Sequence, residues 1–243
     1  LGDDTGTLGV LVNYSAGDGP QGLAVADLDG DGKLDVVTAN ANAQTVAVLK
    51  GNGDGTFGAA TAYSTGASTN PRDVAVADFN GDGTLDLVTA NGSTQFISVL
   101  LGSGGGTFGA ATGFGSGSLD AYHLVATDWN ADGRADVALA NYGGNRLNVF
   151  LGKGDGTFEA SSNYQPGGNP RGVAAGDFNG DGRPDLVTAN YSGYTATVYL
   201  GNAAKPLPED PADSGLHSGY GRGNLWSTSD YDYYSFSAQA GQL

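Results

Sequence analysis

Residues 78–86 read Asp78-Phe79-Asn80-Gly81-Asp82-Gly83-Thr84-Leu85-Asp86. Carboxylate or amide oxygens fall at positions 1, 3, 5 and 9 of this nine-residue stretch, with glycines between them. A turn needs one or two Asp, Asn or Gly residues. It does not need three acids whose mutual repulsion opposes folding. Hard oxygen donors without His or Cys suit Ca²⁺, which takes 6–8 oxygens in flexible geometry, better than Zn²⁺ or Cu²⁺. Position 7, Thr84, offers its backbone carbonyl, and Gly83 at position 6 permits the sharp turn that wraps the loop around one ion.

The stretch occurs four times, as DLDGDGKLD at 27–35, DFNGDGTLD at 78–86, DWNADGRAD at 128–136 and DFNGDGRPD at 177–185. Successive copies start 51, 50 and 49 residues apart. Each follows a small-residue apolar segment (GLAVADL, DVAVADF, HLVATDW, GVAAGDF) and precedes LDVVTAN, LDLVTAN, ADVALAN or PDLVTAN. Then come TVAVLKG, ISVLLG, LNVFLG or ATVYLG, a glycine-rich turn, and FGAATAY, FGAATGF or FEASSNY. These short Val-, Thr- and aromatic-rich runs bounded by Gly, Asn and Asp read as strands. No useful helical period lies between them. Four strands per ~50-residue unit predict an all-β fold, a β-propeller of four-stranded blades.

The edges extend this pattern. LGDDTGTLGVLVNY at 1–14 matches LGSGGGTFGAATGF at 101–114, whereas the fourth unit lacks its own outer strand. The spare strand either closes a four-bladed ring or marks the torn edge of a larger propeller; the torn edge is the favoured expectation. Residues 203–215, with Pro206, Pro208 and Pro211, read as a linker. Residues 216–243 end in alternating aromatic and polar residues and are expected to begin a second β domain.

Composition limits the function. The 243 residues carry a formal charge of -16, and only Glu159 and Glu209 of the 26 acids are glutamate. Thirteen aspartates lie in the four loops, and four Ca²⁺ ions would halve the formal charge. Ten basic residues, thinly spread, form no stripe for phosphates, so no nucleic-acid partner is expected. There is no Cys and hence no disulfide or thiolate site. No apolar run approaches the ~20 residues of a membrane span, no signal peptide is visible, and the first residue is Leu.

Written as DxDGDGxxD or DxNGDGxxD, followed by xDLVxAN and LLGxGxGTFG, the repeat resembles the FG-GAP/VCBS repeat of integrin alpha-like propellers and many secreted bacterial proteins. The resemblance covers residues 1–202. It implies that each loop joins the first two strands of a blade and binds calcium, and that the full ring commonly has seven blades. The implied ligands are Asp27, Asp29, Asp31, the Lys33 carbonyl and Asp35; then Asp78, Asn80, Asp82, the Thr84 carbonyl and Asp86. The third set is Asp128, Asn130, Asp132, the Arg134 carbonyl and Asp136. The fourth is Asp177, Asn179, Asp181, the Arg183 carbonyl and Asp185. Ala131 replaces the usual glycine at position 4, so strain is expected in the third loop. An EF-hand is excluded because position 12 is Thr38, Thr89, Leu139 or Thr188 rather than Glu. The C-terminal DYDYYSFSAQAGQ more weakly resembles the start of a pre-peptidase C-terminal-type domain.

Other signals are discounted. GDGTFG at 53–58 and GGGTFG at 104–109 match a dinucleotide pattern, but a strand follows them where a helix is required. His123 and His217 are the only histidines, and no HExxH, GxSxG or Cys nucleophile is present. Asp73 and Asp120 are acids outside the loops; Asp73 follows Pro-Arg, which reads as a structural blade-entry turn. Trp129 occupies the place of Leu28, Phe79 and Phe178, a core plug. Asn13, Asn91 and Asn190 stand in N-x-S/T triplets, which are common by chance in so Asn- and Ser-rich a chain. Tyr14, Tyr63, Phe114 and Tyr164 recur in the outer strand as sugar platforms or, preferably, inter-blade packing.

The expected function is a secreted or cell-surface, bacterial, calcium-binding repeat protein. It would be a non-enzymatic cell-adhesion or scaffold module binding an extracellular protein, matrix or glycan. A lectin propeller and the non-catalytic part of a secreted hydrolase are the alternatives.

Overall fold

The computed structural model describes residues 11–201. The linker expected at 203–215, the β domain expected at 216–243 and most of the spare N-terminal strand lie outside the described residues. Residues 11–17, at the end of that strand, are not in strand.

Fifteen strands and no helix make up the described chain, in four antiparallel sheets taken in sequence order. The first sheet holds β1 (Pro20–Ala26), β2 (Asp35–Asn40), β3 (Thr45–Leu49) and β4 (Thr61–Ser64). The second holds β5 (Pro71–Ala77), β6 (Asp86–Asn91), β7 (Phe96–Leu100) and β8 (Thr112–Gly115). The third holds β9 (Ala121–Thr127), β10 (Asp136–Asn141), β11 (Arg146–Phe150) and β12 (Ser162–Tyr164). The fourth has three strands, β13 (Pro170–Gly176), β14 (Asp185–Asn190) and β15 (Thr195–Tyr199). Each sheet is one blade, the fourth having three strands among the described residues.

Burial explains the strand chemistry. The second strand of a blade is covered on both faces, so DLVTAN of β6 and DVALAN of β10 are buried at every residue. Such strands read as continuous runs of small apolar and Thr residues, without the alternation of a half-exposed sheet. The core sits between blades in three clusters. Leu28, Val37 and Val48 of the first blade meet Val74, Leu87, Leu100 and Phe108 of the second. Phe79, Val88 and Ile97 meet Leu124, Val137, Phe150 and Phe158. Ala138, Leu147 and Val149 meet Val173 and Leu186.

The first strands pack in series, β1 on β5, β5 on β9 and β9 on β13, and no comparable packing joins β13 to β1 among the described residues. Among the described residues, the two end faces are accordingly uncovered. Leu23 of β1 is 63% exposed, whereas its repeat equivalents Val74, Leu124 and Val173 are 4%, 3% and 4% exposed. At the other end Phe178 is 53% exposed, against 4% for Leu28 and 2% for Phe79. Trp129, the expected plug, is half-buried against the third cluster, and Phe178 is exposed because no following blade covers it among the described residues.

Each first strand begins with a register shift. Pro20 pairs Asn40 and Gly22 pairs Ala39, so Gln21 bulges. The same shift leaves Arg72, Tyr122 and Arg171 unpaired in β5, β9 and β13. Asp73, expected in a turn, lies within β5, where its carboxylate accepts the backbone N–H of Leu124 in the next blade at 3.0 Å.

Candidate metal centre

All four acidic loops connect the first and second strands of their blades. Position 1 follows the first strand directly. Position 9 opens the second and pairs with the residue before the loop: Ala26 with Asp35, Ala77 with Asp86, Thr127 with Asp136 and Gly176 with Asp185. The pairing closes an eight-residue loop whose ends are fixed by the sheet.

Inside the loop the position-1 carboxylate gathers backbone N–H groups. Asp27 accepts from Gly30 and Asp31 through Oδ1 and from Gly32 through Oδ2, at 2.8–3.1 Å. Asp78 accepts from Gly81 and Gly83, and Asp177 from Gly180, Asp181 and Gly182. These donors hold the Asp177 carboxyl below its ordinary range, the Gly182 N–H contributing most. Gly30 and Gly32 take φ of +77° and +81°, the left-handed conformation that points successive N–H groups inward.

The third loop departs from this pattern at the residue the sequence singled out. Ala131 is forced to φ +58°, in the region Gly30, Gly81 and Gly180 occupy at no steric cost. Asp128 accepts from Asp132 and Gly133, at 3.0 and 2.8 Å. No bond from Ala131 accompanies these, where the other loops have one from the equivalent glycine.

Position 9 does something the sequence did not reveal. Asp35, Asp86, Asp136 and Asp185 are buried, and each spends both oxygens on backbone N–H groups. Oδ2 accepts from the residue after position 1 (Leu28, Phe79, Trp129, Phe178) at 2.7–3.0 Å. Oδ1 accepts from a glycine beyond the third strand (Gly51, Gly102, Gly152, Gly201) at 2.7–2.8 Å. Burial pushes the carboxyls of Asp86 and Asp136 up, and these N–H donors offset part of that.

Position 5 turns the other way. Asp31, Asp82, Asp132 and Asp181 accept the N–H of position 7 (Lys33, Thr84, Arg134, Arg183) at 2.7–2.9 Å. In the last three loops the position-3 amides of Asn80, Asn130 and Asn179 donate to that same carboxylate. Asp31 is held by the Lys33 ammonium at 2.8 Å, which lowers its pKa.

Among the described residues, one acidic cluster brings three ligand atoms together: oxygens of Asp27, Asp29 and Asp35 lie within 4.8 Å of one another. Asp31 stands outside that cluster. The Lys50 ammonium approaches Asp29 to 3.0 Å, so a cation is already drawn to it. An all-oxygen donor set on a glycine-turned loop fits a hard divalent ion such as Ca²⁺. In the other three loops Asn at position 3 leaves fewer carboxylates.

Two of the turns after a third strand, one of them the 104–109 turn discounted as a nucleotide site, buttress the acidic loop of the preceding blade. Gly156 donates to the carbonyl of Phe79 at 3.0 Å, and Lys50 donates to the carbonyl of Gly105. Outer-strand aromatics do the same for the core. Tyr14 meets Phe57, Tyr63 meets Phe108 and Phe114 meets Phe158, edge to face at 5.3–5.4 Å. Tyr164 meets Tyr199 at 5.9 Å. These rings are therefore spent on packing between blades.

The loop, the buttressing turn and the aromatic after it form one unit, and family comparison follows that unit. The FG-GAP-like repeat model matches residues 27–89 and 128–188, just over half of the chain, and the FG-GAP repeat model matches residues 70–114. The chain belongs to the FG-GAP-like repeat family. No curated protein matches the sequence. Among solved structures, a Lactobacillus plantarum protein is similar to this FG-GAP chain over 81% of it and 58% of its own length, with a TM-score of 0.58 and 19% identity. That likeness shows the β-propeller-like fold. An Agrocybe aegerita lectin that recognises non-reducing terminal N-acetylglucosamine is 26% identical over 73% of this chain, with a TM-score of 0.47. The V. cholerae biofilm matrix protein Bap1 is 24% identical over 69% of this chain, with a TM-score of 0.43. The FG-GAP chain spans 51% of the lectin and 23% of Bap1.

Proposed function

We propose that this FG-GAP chain is a calcium-clamped, non-catalytic propeller module. It serves adhesion or scaffolding in a larger secreted or cell-surface bacterial protein, with an extracellular protein, matrix or glycan as partner. The observation that carries this reading is the convergence of Asp27, Asp29 and Asp35 on one point of a loop already strapped at both ends.

A bound Ca²⁺ supplies positive charge that offsets the repulsion among these carboxylates. The chain's own residues do the rest. The position-1 aspartates order the loop through its N–H groups, and the position-9 aspartates tie it to the third strand. The next blade's turn then holds it from outside. Lys33 and Arg183, and Thr84 and Arg134 between them, would add their carbonyls. A loop so framed loses little entropy when an ion binds, so binding free energy goes into stability. Organised loops give the blade edges a fixed surface for display to a partner.

Thermal unfolding in excess EDTA and in CaCl₂ tests this. At a Ca²⁺ concentration 100 times Kd, each site adds about 2.7 kcal/mol, and the midpoint rises. A midpoint unchanged up to 10 mM CaCl₂, a concentration of roughly the order at which the weakest extracellular modules fill, would rule the clamp out.

A further inference from the structure

At the opposite ends of the first strands from the acidic loops, three blades contribute to one cluster. The bulge residues Arg72, Tyr122 and Arg171 lie one per blade, each freed from its ladder by the register shift. Bulges re-aim a side chain and are enriched beside functional sites. The Arg72 and Arg171 guanidiniums lie 4.1 and 4.9 Å from the Tyr122 ring centroid. Arg171 also lies 4.9 Å from Tyr142 and 3.8 Å from Tyr191. Tyr142 is 5.5 Å from Tyr122 and 6.1 Å from Tyr191.

The two arginines differ in what they have left to give. Arg72 spends Nη2 on Asp120 at 2.9 Å, and its Nη1 is buried with no hydrogen-bond partner. Arg171 has no ion-pair partner among the described residues. In a chain with 26 acids this arginine is oriented by rings instead of a carboxylate. Stacking fixes a guanidinium without consuming its N–H donors, which stay free for bidentate recognition of an anion. Tyr191 leaves more than half of its surface open beside it.

We propose that this arginine–tyrosine cluster binds a sugar unit bearing one carboxylate, which pairs with Arg171 while the pyranose ring packs on Tyr191 and Tyr142. One uncompensated guanidinium matches one charge, and the net charge of -16 disfavours a polyanion. The exposed ring of Tyr191 suits the C–H face of a sugar ring. An acidic peptide would look instead for a sheet edge or groove, which strand starts and turns do not offer. The seven-residue first strands separate the cluster from the acidic loops by roughly 20 Å, about two Debye lengths at physiological salt, so the loops do not neutralise it. This assigns a ligand to the adhesive role proposed above and rests on that reading.

The test titrates the isotope-labelled full chain in CaCl₂ by NMR with methyl β-D-glucuronide, methyl β-D-glucoside and acetate. The glucuronide should shift the amides of Tyr122, Tyr142, Arg171 and Tyr191 and bind at least about tenfold tighter than the glucoside, as a charge-assisted contact requires. Acetate at the same concentration should leave these amides unmoved. Arg171→Gln should abolish that preference, and Tyr191→Ala should weaken both sugars, with the calcium-bound melting midpoint unchanged in each variant. No binding of the glucuronide, equal binding of both sugars, an acetate response equal to the glucuronide's, or insensitivity to Arg171→Gln overturns the site. Glucuronide binding that persists when calcium fails to raise the midpoint would keep the site and refute the clamp.

Discussion

The Oδ1 atom of Asp86 accepts the backbone N–H of Gly102 at 2.7 Å, while its Oδ2 accepts that of Phe79 at 2.8 Å. One buried side chain thus joins the acidic loop, the second strand and the end of the third. Asp86→Ala strands two buried N–H groups and should cost roughly 2–5 kcal/mol, even in EDTA. Asp82→Asn touches only an exposed carboxylate and should leave EDTA stability within about 0.5 kcal/mol, while weakening calcium binding. Urea unfolding of both variants in EDTA separates the two roles, and equal losses would refute the assignment.

Ala131→Gly should stabilise the chain. The left-handed conformation costs an alanine about 1–2 kcal/mol, and the glycine's extra unfolded-state entropy returns about 0.4–1 kcal/mol of that. A net gain of about 0.5–1 kcal/mol in chemical denaturation is expected. The reverse change at the matching position, Gly81→Ala, should destabilise by a similar amount.

Asp73 gives the pH dependence. Burial raises its pKa above 3.8, with the Leu124 N–H and the nearby His123 offsetting part of the shift. A folded pKa above the unfolded one means that the folded chain holds the proton more tightly. The ionised form is therefore a liability that grows as pH rises through the window above 3.8 and then levels off. Asp73→Asn keeps an oxygen for the Leu124 N–H and cannot ionise. Its melting midpoint relative to the parent chain should climb across that window and stay constant above it. A difference flat in pH would contradict the burial argument.

The end faces predict unequal tolerance at equivalent positions. Leu23→Ser should change stability by no more than about 0.5 kcal/mol. Val74→Ser, in the same place one blade later, should cost about 3 kcal/mol. Similar losses in urea titration would mean that Leu23 is covered in solution.

The four repeat units, their strand order and the hairpin position of each acidic loop were legible in the sequence because every one is a local feature repeated in register. The role of Asp86 and its equivalents was not, since a ligand pattern does not say that Gly102 lies within reach of position 9. Asp73 was read as a turn because Pro71 precedes it, but a bulge absorbs the irregularity and the strand runs on. Phe178 matched Phe79 residue for residue, yet burial depends on the neighbouring blade. The tyrosine and arginines of the bulges escaped notice because about fifty residues separate each from the next. Only the packing of β5, β9 and β13 brings them together.

The buttressing of the first two acidic loops by the turn of the following blade gives the array a direction. A linear chain of units coupled to nearest neighbours unravels from its ends. Here the two ends are unequal. Among the described residues β13–β15 forms a three-stranded sheet with no later turn against its loop, whereas the first blade's loop is held by Lys50 and Gly105. Amide exchange should therefore be fastest in the fourth blade and slowest in the second and third, a gradient of local opening imposed by the order of the repeats.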